Sequence, residues 1–199
     1  MVKGLNYRDK SYNYIMIGID EVGRGAWAGP LLVVAARQIS ELPGDLKDSK
    51  KLTKKSREKL IKEIIIACDL GHGWVDPAEI DKVGLTKAMK LAVSRALTEL
   101  QAKNDEQIIL DGNINYCEQK YTNVSCVVKA DANYPIVSSA SIYAKVTRDN
   151  LMYKFAKEYP KYGFENHVGY GTAQHIQALN THGVTNIHRL SFKPIKDIL

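Results

Sequence analysis

The stretch between residues 14 and 36 constrains the fold more than any other part of the sequence. Two short apolar runs rich in β-branched residues, 14–20 (YIMIGID) and 30–36 (PLLVVAA), flank a turn that contains three glycines. Such runs predict two neighbouring strands, paired antiparallel near the N-terminus. Glycine-rich turns also bind dinucleotides, but a dinucleotide-binding loop opens a helix, whereas a strand follows here. The context therefore excludes a Rossmann-type site at this turn.

The rest of the chain alternates helical and extended patterns. Asp76, Pro77 and Glu79 form a helix start, and Thr172 and Gly183 are suitable caps at the two ends of a short helix. Periodicity and caps predict helices over 49–68, from 76 to 100, over 138–159 and over 173–182, with strands over 106–110 and 123–128. The expected fold class is α/β with a helical C-terminal portion.

The size of the chain fits this expectation. With 199 residues, of which 45% are hydrophobic and 25% charged, disorder and a fibrous assembly are excluded. A chain of this length buries about 70% of its unfolded surface, so its core needs neither disulfides nor a structural metal. We predict one catalytic domain over residues 1–199, in which the helical portion runs from about 160 to 199.

The positive charge of the protein is concentrated in one segment. The net charge is +6, and residues 47–63 alone hold eight Lys or Arg against three Asp or Glu, a local charge of +5. A basic patch of this kind attracts polyanions by counterion release, and nucleic acid is the commonest such partner. The alternative is the solvated face of a surface helix, and charge alone leaves both open.

Cysteine usage and hydropathy indicate where the protein resides. The three cysteines, Cys68, Cys117 and Cys126, are widely spaced and lack a metal-ligand pattern, so we expect reduced thiols. No apolar run is long enough to span a membrane, and residues 1–10 lack the apolar stretch of a signal peptide. We therefore expect a cytoplasmic protein without membrane association.

Four acidic residues fall where predicted strands end. Asp20 and Glu21 close the first strand, Asp111 closes the strand over 106–110, and Asp131 follows the next strand by three residues. Carboxylates at adjacent strand ends can converge in a crevice, where Mg²⁺ or Mn²⁺ relieves their repulsion. With the basic patch, they suggest phosphodiester hydrolysis by two ions roughly 3.5–4 Å apart. Each residue alone is more often part of ordinary turn or strand-end chemistry than of a site, and spacing alone does not establish that all four converge.

The segment over residues 18–30 (GIDEVGRGAWAGP) resembles the first motif of the type 2 ribonuclease H, or ribonuclease HII, family, in which an Asp-Glu pair precedes Gly-Arg-Gly. Four further blocks follow in the order of the family. They are residues 48–52 (DSKKL), 110–113 (LDGN), 129–131 (KAD) followed by 138–149 (SSASIYAKVTRD), and 169–172 (GYGT). The resemblance covers residues 14–192, which is nearly the whole chain.

This resemblance implies a ribonuclease H-like fold with a central mixed sheet flanked by helices. It also implies an endonuclease that cuts the RNA strand of RNA–DNA hybrids, and duplex DNA on the 5′ side of an embedded ribonucleotide. By motif, Asp20, Glu21, Asp111 and Asp131 are the catalytic and metal-binding carboxylates for two Mn²⁺ or Mg²⁺ ions. Activated water, and not the ribose 2′-hydroxyl, attacks, so the products carry 3′-hydroxyl and 5′-phosphate ends. We expect a monomer whose partners are these nucleic acids.

The same resemblance implies the substrate contacts. Gly23, Arg24 and Gly25 are expected to recognise the 2′-hydroxyl through close approach of their backbone, which requires glycines without side chains. Tyr170 packs against the sugar on the deoxy side of an RNA–DNA junction, a contact that suits a flat amphipathic ring. Lys50 is expected to contact phosphate.

Other residues are assigned no catalytic role. His167, His175, His182 and His188 are scattered in the sequence, and we expect them to be structural. Leu190 departs from the family pattern, which often has a basic residue at this position. We therefore expect weaker affinity for the nucleic acid near Leu190.

Two rival functions are open to test. A DNA resolvase or exonuclease could share the acidic site, although it has no 2′-hydroxyl to sense. A non-catalytic module that binds through the basic helix would bind nucleic acid without cutting it in Mg²⁺ or Mn²⁺.

Overall fold

The sheet at the centre of the molecule has five strands and mixed direction. The computed structural model describes residues 16–44, 46 and 54–199, with the side chains of residues 54 and 55 excepted. The strands are β1 (Met16–Val22), β2 (Leu31–Gln38), β3 (Cys68–Val75), β4 (Gln107–Asp111) and β5 (Val124–Val127), in the order β3-β2-β1-β4-β5. β2 lies antiparallel to β1 and β3, whereas β4 runs parallel to β1 and β5. The antiparallel N-terminal pair is therefore confirmed.

Helices cover both faces of the sheet. They are α1 (Lys54–Ala67), α2 (Pro77–Val83), α3 (Leu85–Glu99), α4 (Ala130–Asn133), α5 (Pro135–Glu158), α6 (Phe164–His167), α7 (Ala173–His182) and α8 (Lys193–Lys196). The Glu79 carboxylate accepts from the Asp76 N–H at 3.2 Å, and Thr172 accepts from the His175 N–H at 3.2 Å, so both expected helix starts are confirmed. None of the described helices is long and apolar enough to cross a membrane.

Strand alternation divides the core between the two faces. Ile17 and Ile19 of β1 pack with the buried face of α3, whereas Val34 and Ile109 pack with α1 and α5. A third apolar cluster joins α6, α7 and α8 to Met152 of α5. The C-terminal helices thus rest on the long helix α5.

Three elements differ from the sequence-based expectation. β3 was not expected, and Cys68 begins this strand instead of ending a helix. The helix that begins after Asp76 is broken in two at Gly84, whose φ of 78° is unfavourable for other residues. α5 begins at Pro135, three residues before the expected start, because proline at the first helical position needs no N–H partner.

Candidate active site

Two carboxylates lie side by side at one edge of the sheet. β1 and β4 are parallel, with Ile19 opposite Leu110, so the next residues, Asp20 and Asp111, are neighbours at the carboxyl ends of their strands. Asp20 Oδ1 accepts from the Glu21 N–H at 2.8 Å, and the side chain of Ser141 on α5 favours the charged form of the Asp20 carboxyl group. Asp111 Oδ1 accepts from the Ala130 N–H at 2.8 Å. The central parallel pair therefore forms the floor of the site.

Burial makes these negative charges unfavourable in the absence of a cation. The pKa of Asp20 is raised to about 7, chiefly by burial, and repulsion from Glu21 and Asp111 adds to the rise. The pKa of Glu21 is also raised, again chiefly by burial, although Arg24 opposes the rise from 3.6 Å. Such a set of oxygen ligands has a strong electrostatic reason to bind a cation.

The other two predicted carboxylates reach the same edge from different directions. Adjacent strand residues point to opposite faces, so Glu21 approaches from the side opposite to Asp20. Asp131 lies in the first turn of α4, 8% exposed, and its carbonyl accepts a hydrogen bond from the Ser138 hydroxyl. Within residues 16–44, 46 and 54–199, no three Asp, Glu, His or Cys side chains are grouped closely enough to hold a metal ion as they stand.

The donor chemistry fits a hard divalent cation. Asp20, Glu21 and Asp111 interact electrostatically with one another and offer only oxygen ligands. Mg²⁺ and Mn²⁺ prefer carboxylate oxygens, whereas zinc prefers nitrogen and sulfur. These three residues are the ones that would hold such an ion. Asp131 follows Ala130, whose N–H donates to Asp111.

A loop over residues 23–30, which we call the recognition loop, starts directly after β1. Gly23 has a φ of +83°, and its N–H donates to the Tyr170 hydroxyl at 3.1 Å. The loop is held by distant backbone groups: the Trp27 N–H donates to the Gly169 carbonyl and the Gly29 N–H to the Ile187 carbonyl, both at 2.8 Å. The structure thus brings the Gly-Arg-Gly segment and Tyr170 together. They lie beside the edge of the sheet that carries Asp20, Glu21 and Asp111, which we call the acidic edge.

The two glycines of Gly-Arg-Gly have different surroundings. A Cβ at Gly23 would lie 2.2 Å from Nε of Arg148, so the protein itself excludes a side chain there. A Cβ at Gly25 would meet nothing within 4 Å, and Gly25 is exposed. The fold therefore requires glycine at position 23. This reason is independent of the expected one, which was close backbone approach to the 2′-hydroxyl. At Gly25, by contrast, no neighbouring atom of the protein excludes a side chain.

The basic segment is described in part. Lys50 and the rest of residues 47–53 lie outside the described residues. On α1, Lys59 is 83% exposed and pairs with Glu63 at 3.9 Å, and Lys62 is exposed as well. The part of the patch that the structure describes therefore faces solvent.

Sequence reasoning missed a cluster of buried histidines near Tyr170. The rings of His167 and His175 stack at 4.5 Å, and Nε2 of His175 lies 3.1 Å from Nε2 of His188. Burial lowers the pKa of His175 and of His188 to about 4, so both are neutral at pH 7. Nδ1 of His175 is 3.0 Å from the Tyr170 carbonyl oxygen. These three histidines are structural, as expected, but they converge instead of being scattered, and only His182 is exposed.

It also missed Arg148, although the signal was present in the sequence. Arg148 falls between Ala144 and Met152 on the i, i+4 stripe by which α5 is buried, and all three residues are completely buried. A charged residue on a buried stripe needs internal partners and thereby indicates a special role.

Comparisons with known proteins identify the family. The family model described as "Ribonuclease HII" matches residues 17–195. A ribonuclease HII of Pseudothermotoga lettingae is 43% identical over 181 residues, which are 90% of this chain and 78% of that protein. One of Coxiella burnetii is 39% identical over 188 residues, which are 94% and 92% of the two chains.

Solved structures agree with this. Ribonuclease H2 from Pyrococcus horikoshii OT3 superposes with a TM-score of 0.73 at 27% identity, over 92% of this chain and 96% of that one. RNase HII of Archaeoglobus fulgidus, solved in complex with PCNA, gives 0.76 at 25% identity over 90% and 95%. Bst-RNase HIII in complex with Mn²⁺ shares the fold, with a TM-score of 0.70 at 22% identity over 92% and 68%. The expected ribonuclease H-like fold is confirmed, and the chain belongs to the ribonuclease HII family.

Proposed function

We propose that this chain hydrolyses the RNA strand of RNA–DNA hybrids and also incises duplex DNA on the 5′ side of an embedded ribonucleotide. Membership of the ribonuclease HII family makes it an endoribonuclease that acts on nucleic acid. Water is the nucleophile, so the products carry 3′-hydroxyl and 5′-phosphate ends. The ribose 2′-hydroxyl is recognised and not consumed.

One observation carries this proposal, namely that the acidic edge and the recognition loop are adjacent. Asp20 and Glu21 lie near the C-terminal end of β1, and Gly23 begins the recognition loop two residues after Glu21. In a nucleic acid, the phosphodiester to be cut and the 2′-hydroxyl to be read belong to neighbouring groups of one strand. A site that cuts beside ribose must place its hydrolytic and sugar-reading residues equally close together, as they are here.

Divalent metal is the cofactor of ribonucleases H, and we propose two Mn²⁺ or Mg²⁺ ions in the working state. Asp20, Glu21, Asp111 and Asp131 would hold them. Bound ions supply charge neutralisation and activation of the attacking water. The protein supplies the orientation, because the Ala130 N–H holds the Asp111 carboxylate and the Glu21 N–H holds that of Asp20.

Sugar recognition is proposed for the segment around the Gly23–Tyr170 contact. Gly25 leaves an open surface for the ribose, with Arg24 at its rim, 47% exposed. The Tyr170 ring is partly exposed and can pack against the deoxyribose that follows a ribonucleotide. Lys50 is proposed as a phosphate contact on the strength of the family motif alone.

A direct assay separates this function from its rivals. The protein is incubated with duplex DNA that carries one internal ribonucleotide and with the matching all-DNA duplex, each with and without Mn²⁺ or Mg²⁺. We expect metal-dependent incision only beside the ribonucleotide. Equal cutting of both duplexes would indicate a DNA nuclease, and binding without cutting would indicate a non-catalytic module.

The variant Asp111→Asn tests the site. We expect the cleavage rate to fall by about a hundredfold or more. Loss of a carboxylate ligand would remove several kcal/mol of the stabilisation that bound metal ions give to the transition state. Hybrid binding should persist, and the fold should too, because the amide oxygen can still accept from Ala130. Asp105→Asn is the matched control, since Asp105 is exposed two residues before the same strand begins. Normal cleavage by Asp111→Asn would refute the assignment.

We further propose that the enzyme works as a monomer in the cytoplasm. The acidic edge and the recognition loop both come from one chain, so a second copy is not needed to complete the site. Size-exclusion chromatography with light scattering, at concentrations used in the cleavage assay, should give a mass near 22.2 kDa.

A further inference from the structure

Two arginines are completely buried next to the recognition loop. Arg148 of α5 and Arg189, which follows α7, have no solvent-exposed surface. Among the described residues, no carboxylate lies within ion-pair distance of either guanidinium. Burial lowers the pKa of both; that of Arg189 falls to about 9, chiefly through burial, with repulsion from Arg148 as a smaller cause. A buried charge without an ion-pair partner is costly, so a compensating role is expected.

Their hydrogen bonds show what that role is. All six go to backbone carbonyl oxygens, and five of these bonds go to the recognition loop. Arg148 donates to Pro30 at 2.8 Å, to Ala28 at 3.0 Å and to Val168 at 2.9 Å, and Arg189 donates twice to Gly29, at 2.9 and 3.0 Å, and once to Arg24 at 3.0 Å. A planar guanidinium fixes carbonyl groups in direction as well as in distance. The two side chains therefore set the path of the loop.

Arg148 also contacts both Gly23 and Tyr170, the two residues proposed to bind the sugar. Its Nε fills the space that a Cβ of Gly23 would need, at 2.2 Å. Its Cζ lies 5.7 Å from the centre of the Tyr170 ring, which is within the range of a cation–π contact. The Gly23 N–H and the Tyr170 hydroxyl, which meet at 3.1 Å, are thus supported by one side chain.

We propose that Arg148, assisted by Arg189, is a positioning residue. It holds the backbone of the recognition loop and the Tyr170 ring in the arrangement that binds ribose, without touching the substrate itself. This inference rests on the proposed function, because it assigns the control of ribose selection within that same site. It predicts that loss of Arg148 slows cleavage beside a ribonucleotide while leaving the binding of metal and of duplex backbone intact.

The test compares Arg148→Ala with Arg37→Ala. Arg37 is a suitable control because it too is largely buried and donates to backbone carbonyls, those of Leu100 and Gln101, but it lies away from the recognition loop and pairs with Glu106. Both variants are assayed at a temperature where circular dichroism shows them folded, with saturating Mn²⁺ and a range of concentrations of the single-ribonucleotide duplex. For Arg148→Ala we expect kcat to fall by about tenfold to a hundredfold with little change in KM, since small misplacements cost rates of that order.

Chemical rescue distinguishes positioning from general stability. Added methylguanidinium should restore part of the lost kcat of Arg148→Ala and should have no effect on Arg37→Ala or on the wild type. If Arg148→Ala does not fold, Arg148→Lys takes its place. Its single ammonium cannot reach three carbonyls, so the same selective loss of kcat is expected.

The outcomes are separable from failure of the proposed function. If the wild type does not cut beside a ribonucleotide, the proposed function itself fails. If the wild type cuts and a folded Arg148 variant cuts at the same rate, or Arg37→Ala loses as much kcat, only the positioning role is overturned.

Discussion

At the residue scale, Gly23 and Gly25 show that two glycines of one motif can exist for different reasons. Gly23 is excluded from carrying a side chain by Arg148 and by its φ of +83°, whereas Gly25 meets no atom within 4 Å. A substitution at Gly23 therefore disturbs the fold and the site together. Gly25 is the position at which substrate approach can be probed alone.

We expect Gly25→Ala to fold with an unchanged melting temperature but to cleave the single-ribonucleotide duplex about tenfold more slowly or worse. The added methyl group is harmless in the free protein and would stand where the ribose is proposed to approach. Single-turnover cleavage and thermal unfolding measure the two effects. Gly44→Ala is the control, because Gly44 is equally unobstructed but lies outside the recognition loop. An unchanged cleavage rate in Gly25→Ala would remove Gly25 from the sugar-reading surface.

The candidate residues of this site could be identified from the sequence, whereas the contacts that support them mostly could not. Asp20, Asp111 and Tyr170 could be assigned by motif, because motifs preserve residue type and order. The support from Arg148 could have been noticed from its place on the buried stripe of α5. The cluster of His167, His175 and His188 could not be predicted from the sequence. It depends on how α6, α7 and the segment after α7 fold onto one another.

At the scale of elements, the contact between α3 and β3 is unusually close. A Cβ at Gly73 would lie 1.7 Å from the Ala92 carbonyl oxygen, and one at Gly71 would lie 2.1 Å from that of Ala96. Both carbonyls belong to the backbone of α3, which cannot rotate away as a side chain can. The helix therefore packs directly on the backbone of the edge strand.

We expect Gly73→Ala to lower the free energy of unfolding by more than about 3 kcal/mol, because overpacking against backbone forces the helix to move. Urea denaturation followed by circular dichroism measures this, with Gly44→Ala expected to change the value by less than about 1 kcal/mol. Gly71→Ala should resemble Gly73→Ala. A loss below about 1 kcal/mol in both would show that α3 can shift freely on β3.

This packing also explains why β3 was missing from the sequence-based prediction. Its sequence, CDLGHGWV, has glycines where an alternating strand would place apolar side chains, and glycine inside a strand is normally evidence against one. Strands β1 and β2 were recognised because their sequences are mostly apolar and β-branched, and β4 and β5 because each is a short apolar run. The single glycine inside β1, Gly18, lies against the backbone of α5 but interrupts only one position. Likewise, apolar periodicity could not show the break at Gly84, because the stripe continues across it.

At the scale of the whole molecule, the C-terminal helices depend on a neutral histidine cluster. His175 and His188 are buried with pKa values lowered to about 4. The unfolded chain therefore binds protons that the folded protein does not, between about pH 6.5 and 4. Their contribution to stability is present above this window and is lost as the pH falls through it. Asp20, whose pKa is raised from 3.8 to about 7, acts in the opposite direction.

We expect the metal-free variant Asp20→Asn/Glu21→Gln to lose stability as the pH falls from about 6.5 to 4, because removal of these carboxylates leaves the histidines dominant. Adding His188→Gln to this background should flatten the dependence, whereas adding His182→Gln should not, since His182 is exposed. Chemical denaturation at several pH values gives the free energies. Equal slopes for the two histidine variants would contradict the assignment.

The hydrogen bonds of the recognition loop join parts of the chain that are synthesised far apart in time. Gly23 and Tyr170 are 147 positions apart, and Arg24 and Arg189 are 165 apart. Contacts of such separation form late, and a growing chain emerges from the ribosome in order, N-terminus first. A nascent chain therefore exposes Asp20, Glu21 and Asp111 well before the contacts of the recognition loop with Tyr170 and Arg189 can form. Under the proposed function, a chain interrupted before Arg189 would carry the proposed metal-binding carboxylates without the complete loop proposed to recognise ribose.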